Sequence, residues 1–216
     1  MPHDDPEWNR ERFEPRRLLA ARAASWALLE EAFALVTPGM RSDEARARVD
    51  AMLLARTGAR PWHPTQLRVD AETVLPFGAK PSAPALVKDG SLVFVDMGPT
   101  VDGYEGDVAT TRVIGGGVDA LAHAAEDLHR ELSGYWRVHR PSGRELYARA
   151  GERARELSYT LALTGASGHR LADHPHEVRA KLRALERCPR ACAWVLEIHL
   201  LDEGRARGAF HEDLLC

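Results

Sequence analysis

Five residues of types that bind metal, Asp96, Asp107, His169, Glu197 and Glu212, follow one another along the chain at the mouths of two predicted hairpins. Ser91-Leu92-Val93-Phe94-Val95-Asp96 is a β-branched, aromatic run, and Asp102-Gly103 is the dipeptide of a tight hairpin turn. With that turn, Val101 opposes Tyr104 and opposed residue numbers sum to 205. Asp96 then faces Ala109, and Asp107 lies two residues along on the same face, a diagonal neighbour. A bulge at Pro99 would shift this register. In the second hairpin Ala193 to Leu201 reads as an apolar strand, Asp202 to Arg207 as the turn and Gly208 to Leu215 as the return. Centred on Gly204-Arg205, it has opposed numbers summing to 409 and sets Glu197 directly opposite Glu212. Like charges directly opposite each other destabilise a sheet, so two such pairs call for cations between them.

The elements that must position these residues follow from periodicity and punctuation. Residues 1–11 are polar, with two prolines, and read as a loose arm. Helices are predicted over roughly 14–36 and 43–57, separated by Thr37-Pro38-Gly39, with Ser42 as the cap of the second. Residues 61–90 carry five prolines and short strand-like pieces before the first hairpin. After Gly115-Gly116-Gly117, helices are predicted over about 118–138 and 143–163. Gly165 to His169 reads as a loop leading into a strand, and residues 177–190 as a charged surface excursion. Helix pair, hairpin, helix pair, hairpin suggests an α+β fold of two related halves, without an internal sequence repeat.

At 216 residues the chain suits one well-buried domain over 16–216 behind an N-terminal arm, 1–15. It is 44% hydrophobic and 28% charged, with formal charge −3 from 29 basic and 32 acidic residues. No basic stripe stands out, which argues against nucleic acid as the main partner. No run approaches the ~20 residues of a membrane span, and no signal-type apolar core opens the chain, so the expected location is cytoplasmic. Cys188, Cys192 and Cys216 read as free thiols of a reducing compartment.

These residues together resemble the pita-bread metallopeptidase family, the group of methionine aminopeptidase, Xaa-Pro aminopeptidase, prolidase and creatinase. Val93 to Gly98, then Asp102 to Asp107 and Thr110-Thr111-Arg112, resemble the family's two-aspartate motif, with its step of eleven between Asp96 and Asp107. Ser167-Gly168-His169 resembles its Gly-His motif, and Trp194 to Glu197 and Gly208 to Asp213 its two glutamate strands. The resemblance covers the chain from about residue 16 and implies a curved antiparallel sheet flanked by two helix pairs. It further implies two divalent ions: Asp96 on one, His169 and Glu197 on the other, and Asp107 and Glu212 bridging. Four carboxylates and an imidazole suit manganese, cobalt or iron, with zinc as a further candidate. Bridged cations activate a shared water, whose proton Glu197 would accept.

The resemblance also places His176, seven positions after His169, beside the substrate carbonyl. Where the family carries an upstream Pro-His-Gly histidine, this chain has Pro76-Phe77-Gly78. His63, in Pro61-Trp62-His63-Pro64, is a candidate substitute for that substrate contact, beside the plainer reading of an exposed loop histidine. Arg170 stands where the family has glycine and would bring a charged stem near the site. His199, two residues on from Glu197, shares its strand face and is either a substrate contact, an added ligand or ordinary packing. Glu105 reads as structural, Asp173 and Glu177 as solvated or capping residues, and Trp194 and Phe210 as core.

The expected activity is a metal-dependent peptidase of aminopeptidase or dipeptidase type, acting on a short peptide. Its motifs look closer to the Xaa-Pro-cleaving branch, although the chain leaves no room for the extra N-terminal domain of larger relatives. Dimerisation would close the open site. The alternatives are a hydrolase of a small amide-like metabolite, or a pita-bread domain used as a metal-free binding module.

Overall fold

Two helices open the chain, of which the computed structural model describes residues 5–216. Residues 1–4, the start of the expected arm, lie outside the described residues. Helix α1 (Pro15–Leu35) starts on a proline, whose missing N–H is no loss in a first turn. Helix α2 (Ser42–Thr57) ends at Gly58, in the left-handed conformation that suits glycine. The expected Ser42 cap is not formed: Arg41 precedes the helix, and the Ser42 hydroxyl donates instead to Glu72 Oε1 at 2.9 Å.

Strand β1 (His63–Val69) is followed by β2 (Leu92–Gly98), β3 (Thr100–Val101), β4 (Tyr104–Glu105) and β5 (Val108–Val113). Helix α3 (Ala120–His139) is capped by the Asp119 side chain, and α4 (Gly143–Glu156) by a reciprocal Ser142–Glu145 box. Strands β6 (Thr160–Leu161), β7 (His169–Arg170), β8 (Trp194–Leu201) and β9 (Gly208–Leu214) complete the order. The helix expected to reach 163 stops at Glu156, because Ser158 turns left-handed and Thr160 and Leu161 pair with Leu201 and Leu200.

Both predicted registers are observed. Leu92 through Met97 pair with Val113 through Val108, setting Asp96 opposite Ala109. Pro99 introduces no shift, since Thr100 still pairs with Glu105 and Val101 with Tyr104. Val195 through Leu201 pair with Leu214 through Gly208, and Glu197 faces Glu212. The main sheet runs β1-β2-β5-β9-β8-β6, with β7 also on β8, so the halves join at β5 and β9. Each half is a helix pair, an edge strand and a hairpin.

Side-chain alternation divides the sheet into two faces. Val93, Val95, Met97 and Val108 pack with Leu29, Ala32, Val49 and Leu53 of the first helix pair. Leu196, Ile198, Leu200 and Ala209 pack with Leu128, Leu132, Trp136 and Leu146 of the second. Asp96, Glu197 and Glu212 therefore project from the face that no helix covers. Trp194 is core as expected, and Phe210 packs with Phe94.

One expectation is sharpened and two are corrected. The charged excursion of residues 177–190 keeps its charged side chains exposed but is anchored rather than free: Val178, Leu182 and Leu185 are buried, and the Leu182 and Arg183 amides bond to Gly168 O and Ser167 O. The described part of the arm is not loose, since Arg190 and Trp194 bond to Glu7, and Arg10 and Arg12 to Asp173. Cys192 and Cys216 are disulfide-bonded, and Cys188 is the free cysteine. The β8–β9 hairpin brings their Cα atoms to 4.6 Å although they stand 24 residues apart in the chain. This removes the free-thiol argument for a cytoplasmic location. Among the described residues no helix is long and apolar enough to cross a membrane.

Candidate metal centre

On the uncovered face lies a cavity of about 640 Å³, with Asp96, Asp107, His169, Glu197 and Glu212 all in its lining. The structure thus brings together all five sequence-predicted ligand candidates. His63 and His176 line the same cavity. His63 is not an exposed loop residue: it begins β1, and its Nε2 lies 3.1 Å from Asp107 Oδ1 and 3.7 Å from Asp96 Oδ1. Its ring packs edge-on against Phe77, centroids 5.7 Å apart, so the imidazole reaches the site beside the residue that replaces the family's upstream histidine.

His169 Nε2 contacts Asp107 Oδ2 at 2.9 Å. Glu197 is aimed by its surroundings: its Oε2 accepts from Ser167 N at 2.6 Å and from Gly168 N. Tyr147 of α4 donates to its backbone carbonyl at 3.0 Å. Glu212 Oε1 is buried and has no hydrogen-bond partner among the described residues. His176 Nδ1 lies 3.1 Å from Glu105 Oε2, which also accepts from Ala172 N. Glu105 is fully buried, so its structural role is to hold a cavity histidine.

Two expected neighbours are elsewhere. Arg170 alternates away from His169 into the opposite layer, where its guanidinium donates to Pro6 O, Leu171 O and Ala193 O. It brings no charge to the cavity. His199 sits in the wall behind, its Nε2 2.8 Å from Thr73 O and its ring between Phe94 and Phe210. Asp173 and Glu177, read as solvated or capping residues, both pair with Arg10; Asp173 is buried, while Glu177 stays exposed as expected.

Sequence reasoning missed Trp62, whose indole stacks on His176 at 4.7 Å, meets His63 and His169 edge-on, and donates to Gly106 O. Its place beside His63 in a proline-flanked tetrapeptide was the one available signal. His174, Arg179 and Lys181 also line the cavity, and nothing in their spacing marked them.

Burial sets the electrostatics. It raises Asp96; His63 pulls the carboxyl back, and Asp107 and Glu197 push it up again, to about 7. Burial, then the Asp107 and Asp96 charges, holds Glu212 well above the carboxylate range, and burial also raises Glu197. Asp107 goes the other way, because the His63 and His169 imidazoles overcome its burial and hold it below that range. Burial alone would lower both histidines; Asp107 overrides it, and with Asp96 raises His63 to about 10, while His169 rises to about 9. Groups of ligand atoms within 4.8 Å of one another are formed by His63, Asp96 and Asp107, and by Asp107, His169 and Glu212. Oxygen and imidazole donors, a partnerless carboxylate oxygen and mutually repelling acids fit divalent ions.

Comparison with known proteins agrees. The sequence profile of metallopeptidase family M24 matches residues 16–204. The chain belongs to that family. The fold is the pita-bread fold of its solved members. A prolidase from Pyrococcus horikoshii superposes with TM-score 0.74 at 19% identity, over 98% of this chain and 61% of that one. An X-Pro aminopeptidase from Thermotoga maritima gives 0.71 at 19%, over 91% and 56%. The dipeptidase PepE from Mycobacterium ulcerans gives 0.72 at 20%, over 96% and 56%. The chain thus spans about three fifths of the length of these proteins. No curated protein matches it by sequence.

Proposed function

We propose that this M24 protein is a dinuclear metal-dependent hydrolase of the Xaa-Pro aminopeptidase or dipeptidase type, cleaving short peptides. The observation that carries the reading is the set of four inward carboxylates, buried and converging with imidazoles on one cavity floor. A metal-free binding module has no use for mutually repelling acids that cost stability when buried. Asp96 would hold one ion, His169 and Glu197 the other, and Asp107 and Glu212 would bridge. Two such ions, when bound, lower the pKa of a shared water and polarise a scissile carbonyl.

The chain's own residues supply the remainder. Glu197, oriented by the Ser167 and Gly168 amides, accepts the water's proton. His176 is held by Glu105, to which its Nδ1–H donates, and from the doubly protonated ring Nε2–H would donate to the substrate carbonyl oxygen. Trp62, Phe77 and Pro175 give the cavity an apolar wall suited to a prolyl ring. Arg179 and Lys181 line it too, form no ion pair among the described residues, and suit a short peptide's terminal carboxylate.

The test is the metal content of protein loaded with Mn²⁺ and freed of excess ion, followed by turnover of Xaa-Pro dipeptides and tripeptides. Close to two ions per chain and cleavage of the bond before proline are expected. Folded protein that retains no ion would refute the reading; two ions with cleavage confined to a non-peptide amide would move it to the metabolite hydrolase.

A further inference from the structure

We infer that His63 is a sixth metal ligand, the counterpart in the first half of His169 in the second. The inference rests on the dinuclear reading and adds to it an imidazole that the sequence motifs do not contain.

The two histidines are built alike. His63 Nδ1 lies 3.1 Å from the carbonyl of Pro64, and His169 Nδ1 lies 3.0 Å from the carbonyl of Arg170, in each case the next residue. A carbonyl only accepts, so each Nδ1 carries a hydrogen, and Nε2 is the nitrogen whose lone pair an ion would take in place of its proton. Histidine ligands are commonly oriented in this way. The two Nε2 atoms then straddle one carboxylate, His63 at Asp107 Oδ1 and His169 at Asp107 Oδ2. Each also belongs to a group of three ligand atoms within 4.8 Å of one another: His63 with Asp96 and Asp107, His169 with Asp107 and Glu212.

Each histidine also lies on a strand that neighbours a ligand-bearing strand, two positions from its acid, though on opposite sides: Gly98 follows Asp96 and Val195 precedes Glu197. His63 lies on β1, beside β2, opposite Gly98, two residues from Asp96. His169 lies on β7, beside β8, opposite Val195, two residues from Glu197. Gly98 is shaped for the imidazole, because a Cβ there would come within 2.2 Å of His63 Cδ2 and 2.4 Å of Nε2. One indole braces both rings, Trp62 meeting His63 at 4.5 Å and His169 at 5.6 Å. Each half of the site would then offer one imidazole and two carboxylates. A second nitrogen donor shifts preference from Mn²⁺ toward Co²⁺, Fe²⁺ and Zn²⁺.

A histidine that only touches substrate would leave ion binding alone, and this separates the readings. Calorimetric titration of Co²⁺ into metal-free wild type should show two sites, one of them weakened about tenfold or more in His63→Ala. Proton NMR of the Co²⁺-loaded wild type should show two strongly shifted, solvent-exchangeable imidazole N–H resonances, one of which His63→Ala lacks. The wild-type count needs no variant to fold. Two bound ions with a single shifted imidazole resonance, or unchanged Co²⁺ affinities in a folded His63→Ala, would overturn the inference and leave the dinuclear reading standing. A wild type that binds no Co²⁺ would overturn both.

Discussion

The two halves of the sheet meet at β5 and β9, where Ala109 pairs with Glu212 and the Thr111 hydroxyl spans to the Phe210 backbone, and they hold their acids differently. The first half uses short aspartates next to strand backbone: Asp96 lies inside a six-pair ladder, and His63 begins a long edge strand. The second half uses longer glutamates, and its histidine sits on a two-residue strand. It compensates with distant contacts: loop amides on Glu197, Tyr147 under its backbone, and Leu182 and Arg183 bonded to the Ser167-Gly168 loop. Geometry is set locally in one half and borrowed in the other. Variants should therefore act at short range in the first half and through the loops in the second.

The largest effect should come where the halves share a residue. Asp107 faces both imidazoles, so Asp107→Ala removes the partner of each at once. Turnover should fall by roughly 10⁴-fold or more, with loss of at least one ion, as for groups acting as a unit. Undiminished peptidase activity in that variant would break the symmetry between the halves and the functional reading with it.

The metal-free protein offers a measure of how strongly each half repels itself. His169 is raised from 6.5 to about 9 and His63 from 6.5 to about 10. A folded-state value above the unfolded one means that the folded chain holds those protons over the interval between them. The stability they contribute is complete below pH 6.5 and is lost as pH rises through 9 and 10. Asp96, raised from 3.8 to about 7, adds a loss of the same sign at lower pH. Metal-free protein should lose stability on the order of a few kcal/mol between pH 6 and 10. Metal-loaded protein should not, since the ion replaces the protons. Matching Tm profiles with and without Mn²⁺ would show that the cluster carries no such strain.

This division also explains what could be read from the chain. Both hairpin registers, the facing of Glu197 and Glu212, and the convergence of five ligands across 116 residues were legible, because strand period and turn chemistry fix them locally. Trp62, Arg179 and the strap from residue 5 to 14 were not, because long-range packing places them. The Cys192–Cys216 pairing, by contrast, follows from the legible β8–β9 register, since 192 and 216 sum to 408 against the register's 409, and reading the cysteines as free thiols overlooked it. Arg170 was misread through its neighbour: strand alternation sends it away from the face that His169 occupies.

Smaller effects should reveal the borrowed geometry. Glu105→Gln keeps the shape but weakens the hold on His176, and should lower kcat about tenfold with metal content unchanged. Arg10 bonds at once to Asp173, the Pro175 carbonyl and Glu177, on either side of two cavity histidines. Arg10→Ala frees that wall without touching the floor, so KM should rise severalfold while kcat and ion affinity hold. A drop in ion affinity instead would place the strap's action on His169.

The smallest chemical effect is expected at His199, although it shares a strand face with Glu197. Its Nε2 is committed to Thr73 O, and its ring fills the space between Phe94 and Phe210. Burial holds it below the ordinary imidazole value, which keeps it neutral in that wall. His199→Ala should leave metal content and turnover unchanged while lowering stability by roughly 1–3 kcal/mol, from the orphaned carbonyl and the space left between the rings. Urea unfolding beside metal analysis separates the two quantities. A loss of turnover at full metal content and wild-type stability would make His199 a substrate contact, and the second half would then carry a function as well as a scaffold on that strand.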